Sequence, residues 1–425
     1  MKEKLKNCLN TIKDKKELIY LVSFSIFVFF CHFSFSVLAC EIGFLLTVVH
    51  AVEWIIFGLF SLLILLEIFF FKTKNFSWFF CSVFILSFFT IFITGNAFVL
   101  MLLVLSMGLK NISVEKIIKA WLIPTIMVFL CLISLAILEK IPNWTYERNE
   151  FKLRYALGYS YPTPTSSFFM FITLAYVYLK KTKISYFELV LISIAATLLY
   201  SLTDSKTGWI LTMLVVVCAL LFKLLKNRID ITKFLSKKSV STILCCIPLA
   251  CMLISLLLTY LYAQNIPFAV SLDKALSGRL YLQLQAFNNY SQTLFGQSIK
   301  WQGWGGYGYV VSTEGFFYNY IDNAWVLMLF DYGIINTILY IFLFSISIYS
   351  IVKQKDCWLL FVIGFFIVDT LIESFLLNPG TCFIFILFIM WLNEDKNIEI
   401  KNENKNIDIE VEKSKRESEE VLSKD

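Results

Sequence analysis

The chain has 425 residues, of which 58% are hydrophobic and 16% charged, with a mean hydropathy of +0.74 and a formal net charge of +6. This balance excludes a soluble globular domain and a disordered chain, and places the sequence among polytopic membrane proteins. The excess of positive charge is a matter of topology and does not point to nucleic acid as a partner.

A bilayer core of about 30 Å takes about 20 apolar residues per helical crossing, which predicts about twelve crossings here. They lie near 18–38, 51–71, 77–94, 96–109, 120–138, 165–179, 187–203, 207–222, 241–262, 324–352, 357–374 and 379–392. The expected fold is an all-α polytopic membrane protein with one large extracytoplasmic loop. Residues 1–17 form a cytoplasmic amino terminus, and 18–262 a transmembrane bundle with a smaller outer loop at 139–164. Residues 263–323 are the large outer loop, and 324–392 carry the last helices, with a short outer segment at 373–379 between the last two. The polar, charge-mixed tail 393–425 has too few apolar residues to fold and reads as a disordered cytoplasmic extension. With both termini inside, most of the 37 Lys and Arg residues fall on the inner side. Lys140, Arg148, Lys152, Arg154, Lys206, Lys274, Arg279 and Lys300 fall outside. That asymmetry matches the positive-inside rule. The first apolar run lacks a small-residue cleavage site and reads as a retained helix.

The helices of the amino-terminal half carry scattered polar residues, His32, Glu41, His50, Glu53 and Glu67. Ionisable groups in a membrane are functional candidates by default, although Glu41, His50 and Glu53 fall near the outer interface. The eleven cysteines lie in or beside apolar runs, so core packing is their expected role. There are two histidines, neither in a polar loop. A Ser–His or Cys–His pair and a histidine metal site are therefore not expected, nor is any cofactor. An enzyme of this sequence works with carboxylates, arginines, lysines and hydroxyls.

In chain order, the first candidate is Arg154, in the outer loop ahead of Gly158, Pro162 and Pro164, whose turn sets it at the mouth of the bundle. Next, Thr203-Asp204-Ser205-Lys206-Thr207-Gly208 joins two apolar runs. Thr203, Ser205 and Lys206 could receive an anion there, or the segment could be a structural turn. On a helical wheel over 272–288, Arg279 and Gln283 sit near the centre of an apolar arc. A guanidinium in that position needs an anionic partner, and its planar fork suits phosphate oxygens. The tract from Trp301 through Trp304 to Tyr309 is glycine-rich and aromatic, able to stack on sugar rings or to dip into the interface. Asp322-Asn323 directly precedes a span, which fits a helix cap or a carboxylate held at the membrane boundary. Together these residues suit a lipid-linked anionic substrate with a group that stacks on aromatics. No metal site is expected among them, although Asp273, Glu314 and Asp322 are carboxylates that could converge.

The order of these segments resembles the Wzy-type O-antigen and capsule polymerases and the related O-antigen ligases. The residues that carry the resemblance are Arg154 with Gly158-Tyr159-Ser160-Tyr161-Pro162, then Thr203 to Gly208. Leu276-Ser277-Gly278-Arg279 with Leu294-Phe295-Gly296 follow, and then Asp322-Asn323-Ala324 with Gly333. The match is best over 140–340. The resemblance implies a metal-independent glycosyltransferase of the GT-C type in a bacterial cytoplasmic membrane, with its active site on the outer face. Its substrates would be polyprenyl-pyrophosphate-linked oligosaccharide repeat units, and its partners membrane lipid, a chain-length regulator and a flippase. By the same resemblance Asp322 would be the base, where relatives often carry histidine, and Arg279 and Arg154 would hold the pyrophosphate. Lys206 stands where the family turn often has arginine, and Thr163 where it often has asparagine. A ligase with another acceptor, or a flippase for the same units, remains open at this point.

Overall fold

The computed structural model describes residues 2–71, 78–149, 152–225, 235, 237–303, 318–375, 378, 386, 387, 389 and 390. The described chain is predominantly helical. Its first part comprises α1 (Lys2–Phe33), α2 (Val37–Glu41), α3 (Gly43–Phe71), α4 (Trp78–Thr94), α5 (Phe98–Leu109) and α6 (Val114–Ile137). A two-stranded antiparallel hairpin, β1 (Thr145–Asn149) and β2 (Lys152–Tyr155), follows, and leads into α7 (Pro162–Lys180), α8 (Tyr186–Thr203) and α9 (Lys206–Leu225). The remainder comprises α10 (Lys238–Cys245), α11 (Ile247–Ala263), α12 (Pro267–Ala275), α13 (Arg279–Asn289), α14 (Ala324–Gln354) and α15 (Cys357–Asp369).

Among the described residues six helical stretches are long and apolar enough to cross a membrane. They are Lys15–Phe33, Gly43–Phe69, Val114–Ile137, Tyr186–Thr203, Lys206–Leu225 and Ala324–Gln354. The pair α10 and α11, bent by 47°, makes a seventh if it forms one broken span. Helices also occupy the other expected positions up to 369, but α4, α5 and α15 have 17, 12 and 13 residues and fall short of a full crossing, and α7 is not among the stretches apolar enough to cross. Residues 379–392 lie mostly, and the tail 393–425 wholly, outside the described residues. The apolar helices make this an all-α membrane protein with six or seven candidate crossings among the described residues.

α7 sits at the centre. Phe168, Met170, Phe171, Leu174, Ala175 and Val177 are fully buried, and it packs against α6, α8, α9 and α15. A helix covered on all sides needs no lipid-facing apolar surface, so it tolerates Thr165, Ser166, Ser167 and Thr173, all buried. Pro162 and Pro164 fit its first turn, where no intrahelical N–H bond is lost. Among these helices His32 is a core residue: its ring lies 4.3 Å from Phe168 and 5.5 Å from Trp121, and its Nε2 is 3.2 Å from the Thr125 hydroxyl. The other polar residues of the amino-terminal half likewise have partners within the fold. Glu53 accepts from Cys31 and faces His50 at 3.3 Å, Glu67 binds Lys16 and Tyr20, and Glu41 accepts from Trp144.

Two features of the fold shape the region expected to do chemistry. The apolar wheel over 272–288 is not one helix: the chain breaks between α12 and α13, with positive φ at Ser277 and Gly278. Asp273 spans the break, its Oδ1 accepting from the N–H groups of Leu280 and Tyr281. The second is a kink in α14 at Gly333, where the backbone (φ 80°, ψ 174°) leaves the helix. The loop at 293–296 fills that kink, Thr293 and Leu294 accepting from the N–H groups of Ile334 and Ile335. A Cβ at Gly333 would overlap the Gly296 nitrogen, and one at Gly296 would overlap the Asp331 carbonyl. The glycines of the two motifs thus serve a backbone-to-backbone contact.

Candidate functional site

A cavity of about 940 Å³ opens where the carboxyl end of α8 and the amino ends of α9, α13 and α14 meet. Segments far apart in sequence line it: Arg154 and Tyr161, the turn Asp204 to Thr207, Arg279, Lys300 and Trp301, Asp322, Asp331 and Glu373. Of the residues singled out in the sequence, it brings together Arg154, Ser205, Lys206, Arg279, Trp301 and Asp322.

Arg279 is the first residue of α13 and is mostly buried. Its Nε lies 3.2 Å from Asp322 Oδ2, its Nη2 donates to Glu373 Oε1 at 3.0 Å, and its Nη1 donates to the Leu276 carbonyl. The guanidinium is hydrogen-bonded to Glu373 and the Leu276 carbonyl and faces Asp322 as an ion pair, its Nε making no hydrogen bond among the described residues, which departs from an arginine free to grip phosphate. Burial works against its charge, but Asp322 and Glu373 outweigh that and hold it protonated. Asp322 retains some exposure to the cavity, its side chain being 21% accessible. Burial raises its carboxyl above the ordinary aspartate range, while Arg279 pulls it back. Glu373 lies beyond the end of α15; burial pushes it up to about 8, again against the pull of Arg279. Crowding carboxylates around one guanidinium in a dehydrated site favours the neutral form of one of them, because unpaired buried charge is costly.

Arg154 belongs to β2, where it pairs across the hairpin with Tyr146. Its Nε donates to the Thr203 carbonyl at 2.8 Å, its Nη1 to the Tyr161 hydroxyl, and the guanidinium lies 5.3 Å from the Tyr161 ring centre. This arginine ties the hairpin to the turn that ends α8, and its Nη2 has no partner among the described residues. Lys206 is exposed on the cavity wall, as is Lys300 of the large loop, and neither Nζ has a partner among the described residues.

Other expected contacts fall elsewhere. Thr203 does not line the cavity: its carbonyl is bound by Arg154 and its hydroxyl donates to Leu199. Gln283 is buried behind it, accepting from Thr259. Asn323 caps α14, its Oδ1 accepting from the N–H groups of Trp325 and Val326 and its Nδ2 donating to Ser255 and Leu371. With both ends engaged, it is a structural residue rather than a substrate contact. Trp301 borders the cavity, but its indole N–H donates to Asp331 at 2.7 Å and it packs against Tyr290 and Phe330. Trp304 and Glu314 lie outside the described residues. Asp273 is used by the α13 backbone, and no group of three metal-ligating side chains occurs among the described residues.

Sequence reasoning missed Glu373. It stands 94 positions from Arg279 and beside an apolar run, so no local spacing links them. The signal available was its position among the few carboxylates expected outside the bilayer, in the short segment 373–379. Lys300 was visible only as an outer-loop charge. No protein-family model, curated protein or solved structure matches this chain.

Proposed function

We propose that this chain is a polysaccharide polymerase. It joins polyprenyl-pyrophosphate-linked oligosaccharide units on the outer face of a bacterial cytoplasmic membrane, as a GT-C-like glycosyltransferase of about twelve crossings. The observation that carries the reading is Asp322, a carboxylate with raised proton affinity held by Arg279 in a large cavity whose other wall carries Lys206, Lys300 and Arg154.

In this scheme the acceptor sugar hydroxyl attacks the anomeric carbon of the donor. Its O–H proton passes to Asp322 as the new C–O bond forms. The bond from the anomeric carbon to the pyrophosphate breaks, and its electron pair leaves with the polyprenyl pyrophosphate. Lys206, Lys300 and the open edge of Arg154 offset that departing charge. Arg279, already occupied, is a positioning residue: it orients Asp322 and keeps enough of it ionised to act. Both termini lie in the cytoplasm, following the lysine and arginine asymmetry.

The test separates binding from turnover in protein reconstituted with a lipid-pyrophosphate oligosaccharide. Asp322→Asn should bind the donor as the parent does while turnover falls about 10²–10⁴-fold, the range for loss of a general base. Full turnover by Asp322→Asn would refute the base assignment.

A further inference from the structure

A second cavity, of about 650 Å³, lies at the opposite end of α14, between that helix and α10. About 18 Å of helix, from Gly333 to Ser345, separates it from the first. Lys238 of α10 and Lys353 and Lys355 at the end of α14 line it, and no acidic residue is among its described lining residues. Ser241 lines the same space, while Ile346 and Val352 form an apolar wall. Outside the cavity the helices continue as exposed apolar surface, with Ile243 at 67% and Phe342 at 53% accessibility. Lys353 Nζ stands 5.9 Å from the ring centre of Tyr349, an aromatic residue of the kind that settles at a membrane interface.

We infer that this cavity binds the phosphate headgroup of an anionic membrane phospholipid. Three lysines around a cavity with no carboxylate among its described lining residues favour a phosphate-bearing anion, and basic pockets between transmembrane helices take such headgroups. The apolar wall and the exposed helix surface beyond it select a lipid over free phosphate, because acyl chains can cover both and an inorganic ion can cover neither. Cys245 and Cys246, at the 47° bend between α10 and α11, border the same cavity.

The experiment measures, by native mass spectrometry, how well the full chain in neutral detergent retains phosphatidylglycerol and phosphatidylcholine of identical acyl chains. The parent should retain phosphatidylglycerol about tenfold better or more, since each lysine at an anionic headgroup is worth roughly fivefold. The K238Q/K353Q/K355Q variant should lose that preference to within about twofold, and the matching triple arginine variant should keep it. Equal retention of the two lipids by the parent would overturn the proposal, as would an unchanged preference in the glutamine variant. Displacement of phosphatidylglycerol by an equal concentration of inorganic phosphate would assign the site to soluble phosphate and overturn the lipid assignment. The melting temperature in phosphatidylcholine confirms that each variant is folded, and the arginine variant tests the charge requirement if the glutamine variant does not fold.

Discussion

At the residue scale the chemistry centres on Asp322 and Arg279, whose Nε to Oδ2 separation is 3.2 Å. Because Arg279 pulls the Asp322 carboxyl down against burial, replacing Arg279 with alanine should raise the proton affinity of Asp322 further. The base then ionises only at higher pH, so the acid limb of the kcat/KM profile should move upward, with a smaller movement for Arg279→Lys. A pure fall in rate with an unmoved profile would argue against the positioning role. Glu373 gives a stability prediction. Its proton affinity is raised on folding, so its contribution is fully present below the ordinary glutamate range and is lost as pH rises through about 8. Glu373→Gln should therefore flatten the fall of melting temperature with pH across that window. Asp322, Arg279, Arg154 and Lys206 were legible in the sequence as charges too costly to leave unexplained beside apolar runs. Their partners were not: the Arg279–Glu373 pair is created by tertiary packing. The wheel set Gln283 on the buried face of α13 but could not show that its amide is taken up by Thr259 of α11.

At the scale of elements, the loop motif Leu294-Phe295-Gly296 and Gly333 have one shared purpose, the seating of the large loop in the kink of α14. Gly333→Ala adds both a strained positive φ and an overlap with backbone, so it should cost about 2–3 kcal/mol or more of stability and carry activity down with it. Asn323→Ala removes a cap and should cost about 1 kcal/mol while leaving most turnover intact, because its contacts are all structural. Thermal melting beside a turnover assay tests both variants, and a silent Gly333→Ala would contradict the close-approach account. Helix positions were readable from apolar runs, since length and hydropathy follow directly from bilayer thickness. The β1–β2 hairpin was not, because its strands are short, polar and lack an alternating pattern. α7 was readable as a helix but not as the covered centre of the bundle, which depends on what packs around it.

At the scale of the whole molecule, the two ends of α14 differ in kind. One meets a cavity with Asp322 and Glu373 set among cations, and the other a cavity whose charged lining, among the described residues, is lysine. Lys206→Cys should be labelled by an impermeant thiol reagent from outside intact cells, and Lys353→Cys only after the membrane is opened. The reverse pattern would invert the topology. The most direct measurement of the central claim is made on purified protein in liposomes supplied with its own lipid-pyrophosphate repeat unit, with products sized on a gel. The account predicts a ladder at repeat-unit spacing that vanishes in Asp322→Asn. A folded protein given the correct unit that yields no ladder, or a ladder that survives Asp322→Asn, would contradict it.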